Sequence, residues 1–365
     1  MKRASLAITA ALLIGLLLSA CGRTPTEAPA EGPTKLVLTD ALGRTITFDA
    51  PPQRLLVAGK RNMTVAETLY LFPEARERVI GLVVGKQPIG EFIALVDPNW
   101  DQKEHLAPDA GPEQIAPLKP DVVLLRSFTA ETLGRALEEL QIPVMYFDLE
   151  TPEQYFHAVD AMGQLLGNPA RAEEIRNYYQ SRLDRIEEAV SGLDGGQKPG
   201  VLLLEYTDEG GEVALSVPPA EWLQTTEVEM AGGAPVWIEA AQSGGWTVVN
   251  FEQIAAWDPD QIYIVAYQTD AAEVVAGLKA NPQWQALQAV QNDAIYGFPA
   301  DIFSWDQPEP RWILGVTWLA GQIHPELFPD LDMRQEAAEF FGQLYGMEPA
   351  AVEASIVPIL KGSLE

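Results

Sequence analysis

The sequence predicts an α/β fold of two lobes joined by a single long α-helix, and three observations predict it. Short apolar runs alternate with helical stretches on both sides of a purely helical middle, which implies parallel sheets covered on both faces. One stretch of that middle, Pro169 to Ser191, spans about 35 Å as a helix, enough to cross between two bodies. A short segment also occurs twice, once on each side of the middle. At 365 residues the chain exceeds one ordinary domain, so two lobes suit its length.

Residues 1–20 read as a signal segment. Lys2 and Arg3 precede an apolar run from Ala4 to Leu18, shorter than the ~20 residues of a membrane span. The run closes with Leu18-Ser19-Ala20-Cys21, the form of a bacterial lipobox. Small residues there let the peptidase close on the backbone, and the Cys21 thiol accepts the lipid. Residues 21–34 carry Pro25, Pro29 and Pro33 and read as a semi-extended tether. The expected location is the outer face of the cytoplasmic membrane, held by that lipid anchor.

The first lobe is expected over residues 35–152. Leu36 to Thr39 and Arg44 to Phe48 flank a turn at Gly43 and read as a hairpin. Apolar strands follow at Leu55–Ala58, Val79–Val84, Asp121–Leu125 and Val144–Phe147, with a helix beginning near Met63. The linker, residues 153–196, holds two helices opened by Thr151-Pro152 and Asn168-Pro169, with Gln154 three places after the first cap. Ile175, Tyr179, Leu183, Ile186 and Val190 recur at steps of three and four, and Gly195-Gly196 breaks the pattern. The second lobe, residues 197–328, resumes with strands at Val201–Leu204, Ile262–Val265 and Ala294–Phe298. Residues 329–365 form a helical tail to which the sequence assigns no purpose.

The repeat runs Glu113-Gln114-Ile115-Ala116-Pro117-Leu118-Lys119-Pro120-Asp121 and returns as Glu252-Gln253-Ile254-Ala255-Ala256-Trp257-Asp258-Pro259-Asp260. Each copy runs into an apolar strand, so it marks the same helix-to-strand step in two equivalent lobes.

Charge and motifs exclude several functions. Against 24 Lys and Arg stand 52 Asp and Glu, a net charge of −28, which repels polyphosphate and excludes nucleic acid as a partner. That acidity serves solubility or steers a cationic ligand; both readings stand. Cys21 is the only cysteine, so no disulfide forms within the chain. His105, His157 and His324 lie far apart, which speaks against direct capture of a bare metal ion. No G-x-S-x-G, H-E-x-x-H or P-loop pattern occurs, so no catalytic residue and no cofactor is expected.

In open α/β sheets a small molecule sits beyond the carboxyl ends of the strands. The loops there carry Lys60, Arg61, Asn62 and Arg126 in the first lobe, and Tyr206, Trp246, Trp305 and Arg311 in the second. Arginine offers a planar fork for carboxylates or oxyanions, and the indoles offer flat contact area. Trp305 is the strongest single candidate. Trp312 and Trp318 sit at helical spacing and read as core.

The lipobox, Asp40…Gly43-Arg44, Pro52-Gln53-Arg54-Leu55-Leu56, the repeated Glu-x-Ile…Pro-Asp and Asn168-Pro169…Ala172 together resemble the iron-siderophore and cobalamin class of ABC-transporter binding proteins. The resemblance runs from about Thr34 to Phe328. It implies the class III periplasmic binding protein fold: two Rossmann-like lobes, one bridging helix, and a ligand held between them. It also implies that Glu113 and Glu252 dock to arginines of the permease transmembrane subunits. The cargo it implies is a metal chelate: siderophore, haem or corrinoid. Two alternatives are a receptor for an oxyanion such as molybdate or tungstate and, in another class, an extracytoplasmic hydrolase.

Overall fold

The computed structural model describes residues 35–84, 89–193 and 198–364. The signal segment, Cys21, the tether and the Gly195-Gly196 break lie outside the described residues. Among those described, no helix is long and apolar enough to cross a membrane.

The opening hairpin pairs β1 (Leu36–Thr39) antiparallel with β2 (Thr45–Phe48). Asp40 closes it, accepting from the Leu42 and Arg44 amides at 3.0 Å each. Next come β3 (Leu55–Val57), β4 (Val79–Val83), β5 (Glu104–Leu106), β6 (Val122–Arg126) and β7 (Val144–Phe147). They form one sheet in the order β5-β4-β3-β6-β7, every pair parallel. Leu55 to Val57 and Val122 to Leu125 are wholly buried, as strands wedged between two helical layers must be. Between β3 and β4 lies α1 (Met63–Leu69), and before β6 lies the single turn α2 (Pro112–Ile115).

The helical middle begins where its caps place it. Thr151 Oγ1 accepts from the Gln154 amide at 3.2 Å to open α3 (Pro152–Leu165). Asn168 Oδ1 accepts from the Arg171 amide at 3.1 Å to open α4 (Pro169–Val190). Both satisfy amides that lack a partner inside the helix, and both follow with proline where its missing N–H costs nothing. α4 has 22 residues, so it runs about 33 Å.

The second sheet contains β8 (Gly200–Glu209), β9 (Glu212–Val217), β10 (Ala234–Pro235), β11 (Thr247–Val249), β12 (Gln261–Val265) and β13 (Ile295–Gly297). Here the sheet is mixed and not parallel throughout. β8 continues past Leu204 and turns back through Gly210 and Gly211, both at positive φ, into antiparallel β9. The order is β11-β9-β8-β12-β13, with β8, β12 and β13 parallel and β10 beside the start of β8. Tyr206 therefore stands within a strand and not on a loop.

Both copies of the repeat fold alike. Gln114 Oε1 accepts from the Gly111 amide at 3.1 Å; Gln253 Oε1 accepts from the Asn250 amide at 3.0 Å at the start of α6 (Phe251–Trp257), which follows α5 (Leu223–Met230). Ile115 and Ile254 are fully buried. Lys119 and Asp258 both turn left-handed, at φ 50° and 44°. The closing aspartate then staples the neighbouring strand: Asp121 accepts from the Arg54 amide at 2.9 Å, Asp260 from the Gly200 amide at 2.6 Å.

After β12 and α7 (Ala271–Ala280), then β13, the chain reaches α8 (Trp312–Ile323), whose Trp312 and Trp318 are core as expected. The segment beyond it holds the molecule together. α9 (Met333–Tyr345) sets Glu336 against Arg182 and Arg185 of α4, at 3.0 and 2.8 Å. Arg171 donates to Leu344 O at 2.7 Å and Arg76 to Tyr345 O at 2.9 Å. The last residues return to the second sheet, where the Ser363 amide donates to Gly297 O at 2.8 Å.

Where the first lobe meets the second, Arg311 is completely buried among three carboxyls. Its Nε lies 2.8 Å from both oxygens of Asp301, and its Nη1 donates to Glu309 at 2.8 Å and to Glu67 of α1. The guanidinium also stacks 4.4 Å from the ring centre of Phe92 and 5.1 Å from that of Phe303. Removing one partner from such a cluster strands the others in a dry interior. Arg311→Ala is expected to cost about 3–5 kcal/mol of stability, read as a lower urea midpoint with an unchanged slope.

Candidate functional site

On the first lobe, three strand ends converge. The turn after β3 leaves Lys60 and Arg61 exposed, with Arg61 held at φ 54°. Asn62, expected beside them as a ligand contact, is buried instead. Its Nδ2 donates to Ala58 O at 2.6 Å and Leu124 O at 2.8 Å, so it ties the turn to β6. Arg126, at the end of β6, is only 4 % exposed. It donates to Thr64 Oγ1 at 3.2 Å and pairs with Glu150, while its Nε lies 3.8 Å from Asp148. Ser127 donates to the same Asp148 at 2.7 Å. Its charge is thus already balanced within the fold. Phe128, two residues on, stands 56 % exposed at this mouth.

The wall offered by the second lobe has a different chemistry. Asp306 is fully buried and accepts from Ser304 Oγ at 2.5 Å, Tyr267 OH at 2.6 Å and Gln224 Nε2 at 3.2 Å. Glu205 of β8 lies near it, half-buried; burial and then the Asp306 charge push its pKa up to about 7. Glu227, one turn beyond Gln224 on α5, is fully buried, and among the described residues neither of its oxygens has a hydrogen-bond partner. Burial first, then Asp306 and Glu309, raise its pKa well above the carboxylate range. Trp246 stands half-buried in front, edge-on to Trp222 at 6.0 Å and to Tyr267 at 6.4 Å. Strand alternation turns Tyr206 to the face opposite Glu205, where it lines a hollow of ≈ 520 Å³ with Leu215 and Trp284.

Two expected contacts are corrected by burial. Trp305 has no exposed surface; its Nε1 donates to Asp301 at 2.9 Å, so the indole braces the carboxylate that holds Arg311. Arg311, committed to its three carboxyls, has no surface for a ligand either. Both residues build the frame of the site. The local sequence carries part of this signal, since Asp301, Asp306 and Glu309 crowd around one arginine; Glu67 does not declare itself. Thr64 and Glu67 lie three residues apart on α1, so one helical turn links the Arg126 and Arg311 clusters. Among the described residues no group of three His, Cys, Asp or Glu is placed to hold a metal ion.

The sequence pattern of the periplasmic binding protein family matches residues 97–302, more than half of the chain. The chain belongs to that family. It is 22 % identical over 331 residues to the molybdate-binding protein MolA of Haemophilus influenzae, covering 85 % of this chain and 90 % of that one. It is 24 % identical over 306 residues to the iron-uptake system-binding protein of Bacillus subtilis, covering 81 % and 90 %. Among solved structures, MolA with molybdate superposes with a TM-score of 0.67 at 17 % identity, over 86 % of this chain and 98 % of MolA. CeuE of Helicobacter pylori with Ni(II) bound gives 0.66 at 19 %, over 88 % and 99 %. At these identities the structural likeness shows the shared fold.

In this binding protein Glu205 holds its proton more tightly when folded than when unfolded. Its contribution to stability is therefore complete below about pH 4.5 and lost as pH rises through about 7. Glu205→Gln is expected to flatten part of the fall in melting temperature across that window, measured by scanning fluorimetry at a series of pH values.

Proposed function

We propose that this protein is the solute receptor of an ABC importer, that it captures a metal chelate (siderophore, haem or corrinoid) between its lobes, and that it hands the cargo to the permease. The observation that carries the choice of cargo is the neutralisation of the two buried arginines. A tetrahedral oxyanion needs uncompensated positive charge in a small enclosed site, whereas the charges of Arg126 and Arg311 already face carboxylates and the second lobe's cluster is acidic. A chelate is larger and softer, and meets Phe128 and Trp246 as flat contact area with Lys60 and Arg61 at the rim. The likeness to the Bacillus subtilis iron-uptake protein, and to an achromobactin-binding protein of Dickeya dadantii at 25 % identity over 297 residues, supports the same reading. The likeness to MolA supports the oxyanion reading. Tryptophan emission titrated with ferric siderophores, haemin, cobalamin and molybdate separates them. Saturable quenching by a chelate, weakened in Trp246→Leu, is expected; saturation by molybdate alone overturns the chelate reading.

Glu113 and Glu252 are exposed in the first turns of the two equivalent helices, one per lobe, which suits docking to a two-fold permease. The double variant Glu113→Ala, Glu252→Ala is expected to lower uptake by the reconstituted importer roughly tenfold, equivalent to ~1.4 kcal/mol, with cargo affinity unchanged. We extend the proposal to a lipid anchor at Cys21, which mass spectrometry of the mature N-terminus would reveal as a diacylglyceryl adduct.

A further inference from the structure

The acidic cluster of the second lobe is not paired as the Arg311 cluster is; a lysine, Lys361, lines the adjoining hollow with Tyr267 and Ser304. Among the described residues, Glu205, Glu227 and Asp306 form no ion pair with lysine, arginine or histidine, whereas Asp301, Glu309 and Glu67 all converge on Arg311. Asp306 is oriented by three donors. Glu227 is not: it is wholly buried, lies one turn along α5 from a donor to Asp306, and has no donor of its own on either oxygen. A buried carboxyl left without partners is costly to the fold, by about 1–3 kcal/mol for an unmade hydrogen bond. Glu205, the partly exposed member of the cluster, is the one that a donor from outside can reach. Three half-buried aromatic rings, Trp222, Trp246 and Tyr267, stand edge to face beside the carboxyls and offer π-faces that attract a cation.

We propose that Glu205, backed by Asp306 and Glu227 and flanked by Trp246, Trp222 and Tyr267, is a recognition site for an organic cation: a protonated amine carried by the cargo. The inference rests on the receptor reading above and names the chemistry of one end of that cargo. A bare metal ion does not fit, because the carboxyls are not gathered as ligands around one point. An ammonium group does fit, since it donates to several acceptors at once and stacks on indole. The net charge of −28 draws such a cargo toward the protein from a distance. Glu205, the half-exposed member of the three, is the first carboxyl the amine meets, and its proton leaves to solvent as the ion pair forms.

The test uses two linear ferric trihydroxamates that differ only in a free or an N-acetylated terminal amine, titrated against the whole protein at neutral pH. The free amine is expected to bind at least about tenfold more tightly, and Glu205→Gln should abolish that preference while leaving the affinity for the acetylated chelate unchanged. Trp246→Leu provides a second variant, with the same loss of preference, should Glu205→Gln fold poorly. An independent arm replaces the chelates with propylammonium chloride and, as its neutral counterpart, propanol, at millimolar concentration. A tryptophan response to the cation alone, lost in Glu205→Gln, supports the amine site even if no chelate binds, in which case the chelate reading is what fails. Equal affinity for the two chelates, together with no cation-specific response, overturns the amine site and leaves the chelate receptor standing. If no chelate binds and propylammonium evokes no response, both are overturned.

Discussion

The arrangement of the two lobes depends on one guanidinium that has left water altogether. Arg311 is surrounded by Asp301, Glu309 and Glu67, under the rings of Phe92, Phe303 and Phe341. An isolated charge in such a place would be prohibitively costly, so every partner must be present and oriented at once. Those partners come from a helix of the first lobe and from the strand end and loop of the second. Three carboxyls facing one cation leave an excess of negative charge. Burial, against the pull of Arg311, pushes Glu309 well above the carboxylate range and raises Glu67 as well, so the excess negative charge is relieved within the cluster. The cluster ties the two lobes together, and the loop that carries it, from Asp301 to Arg311, also sets Ser304 against buried Asp306.

Much of this fold was legible in the sequence because its signals are local or repeated. The caps at Thr151 and Asn168 need only four residues to be recognised, and they start helices where the spacing predicts them. The duplicated segment reported the equivalence of the lobes down to Asp121 and Asp260, each stapling a neighbouring strand. The continuation of β8 into β9 was missed, although Gly210-Gly211 marks the turn; with it went the facing of Tyr206, since one position along a strand exchanges one side of the sheet for the other.

For the candidate site, position along the strands was legible but exposure was not. Lys60, Arg61 and Arg126 stand at strand ends as the sequence suggests, with Phe128 two residues beyond Arg126. Whether a charged or aromatic side chain faces water is decided by partners distant in sequence. Glu150 quiets Arg126, Glu67 reaches Arg311 from far along the chain, and Asp301 takes the indole of Trp305. The contrast between a rim carrying exposed lysine and arginine and a cluster of carboxyls that forms no ion pair among the described residues emerges only when all of these pairings are known.

The route of the final stretch has a consequence for how the molecule is made. After α8 the chain crosses back along the long helix, touches the first lobe at Arg76, and finishes beside β13 at Ser363. These residues follow both halves in the chain, yet both halves leave backbone carbonyls for them to close on. Contacts so far apart along the chain form only after long loops have closed, so the two halves and the stretch after α8 are expected to consolidate together and not one after another.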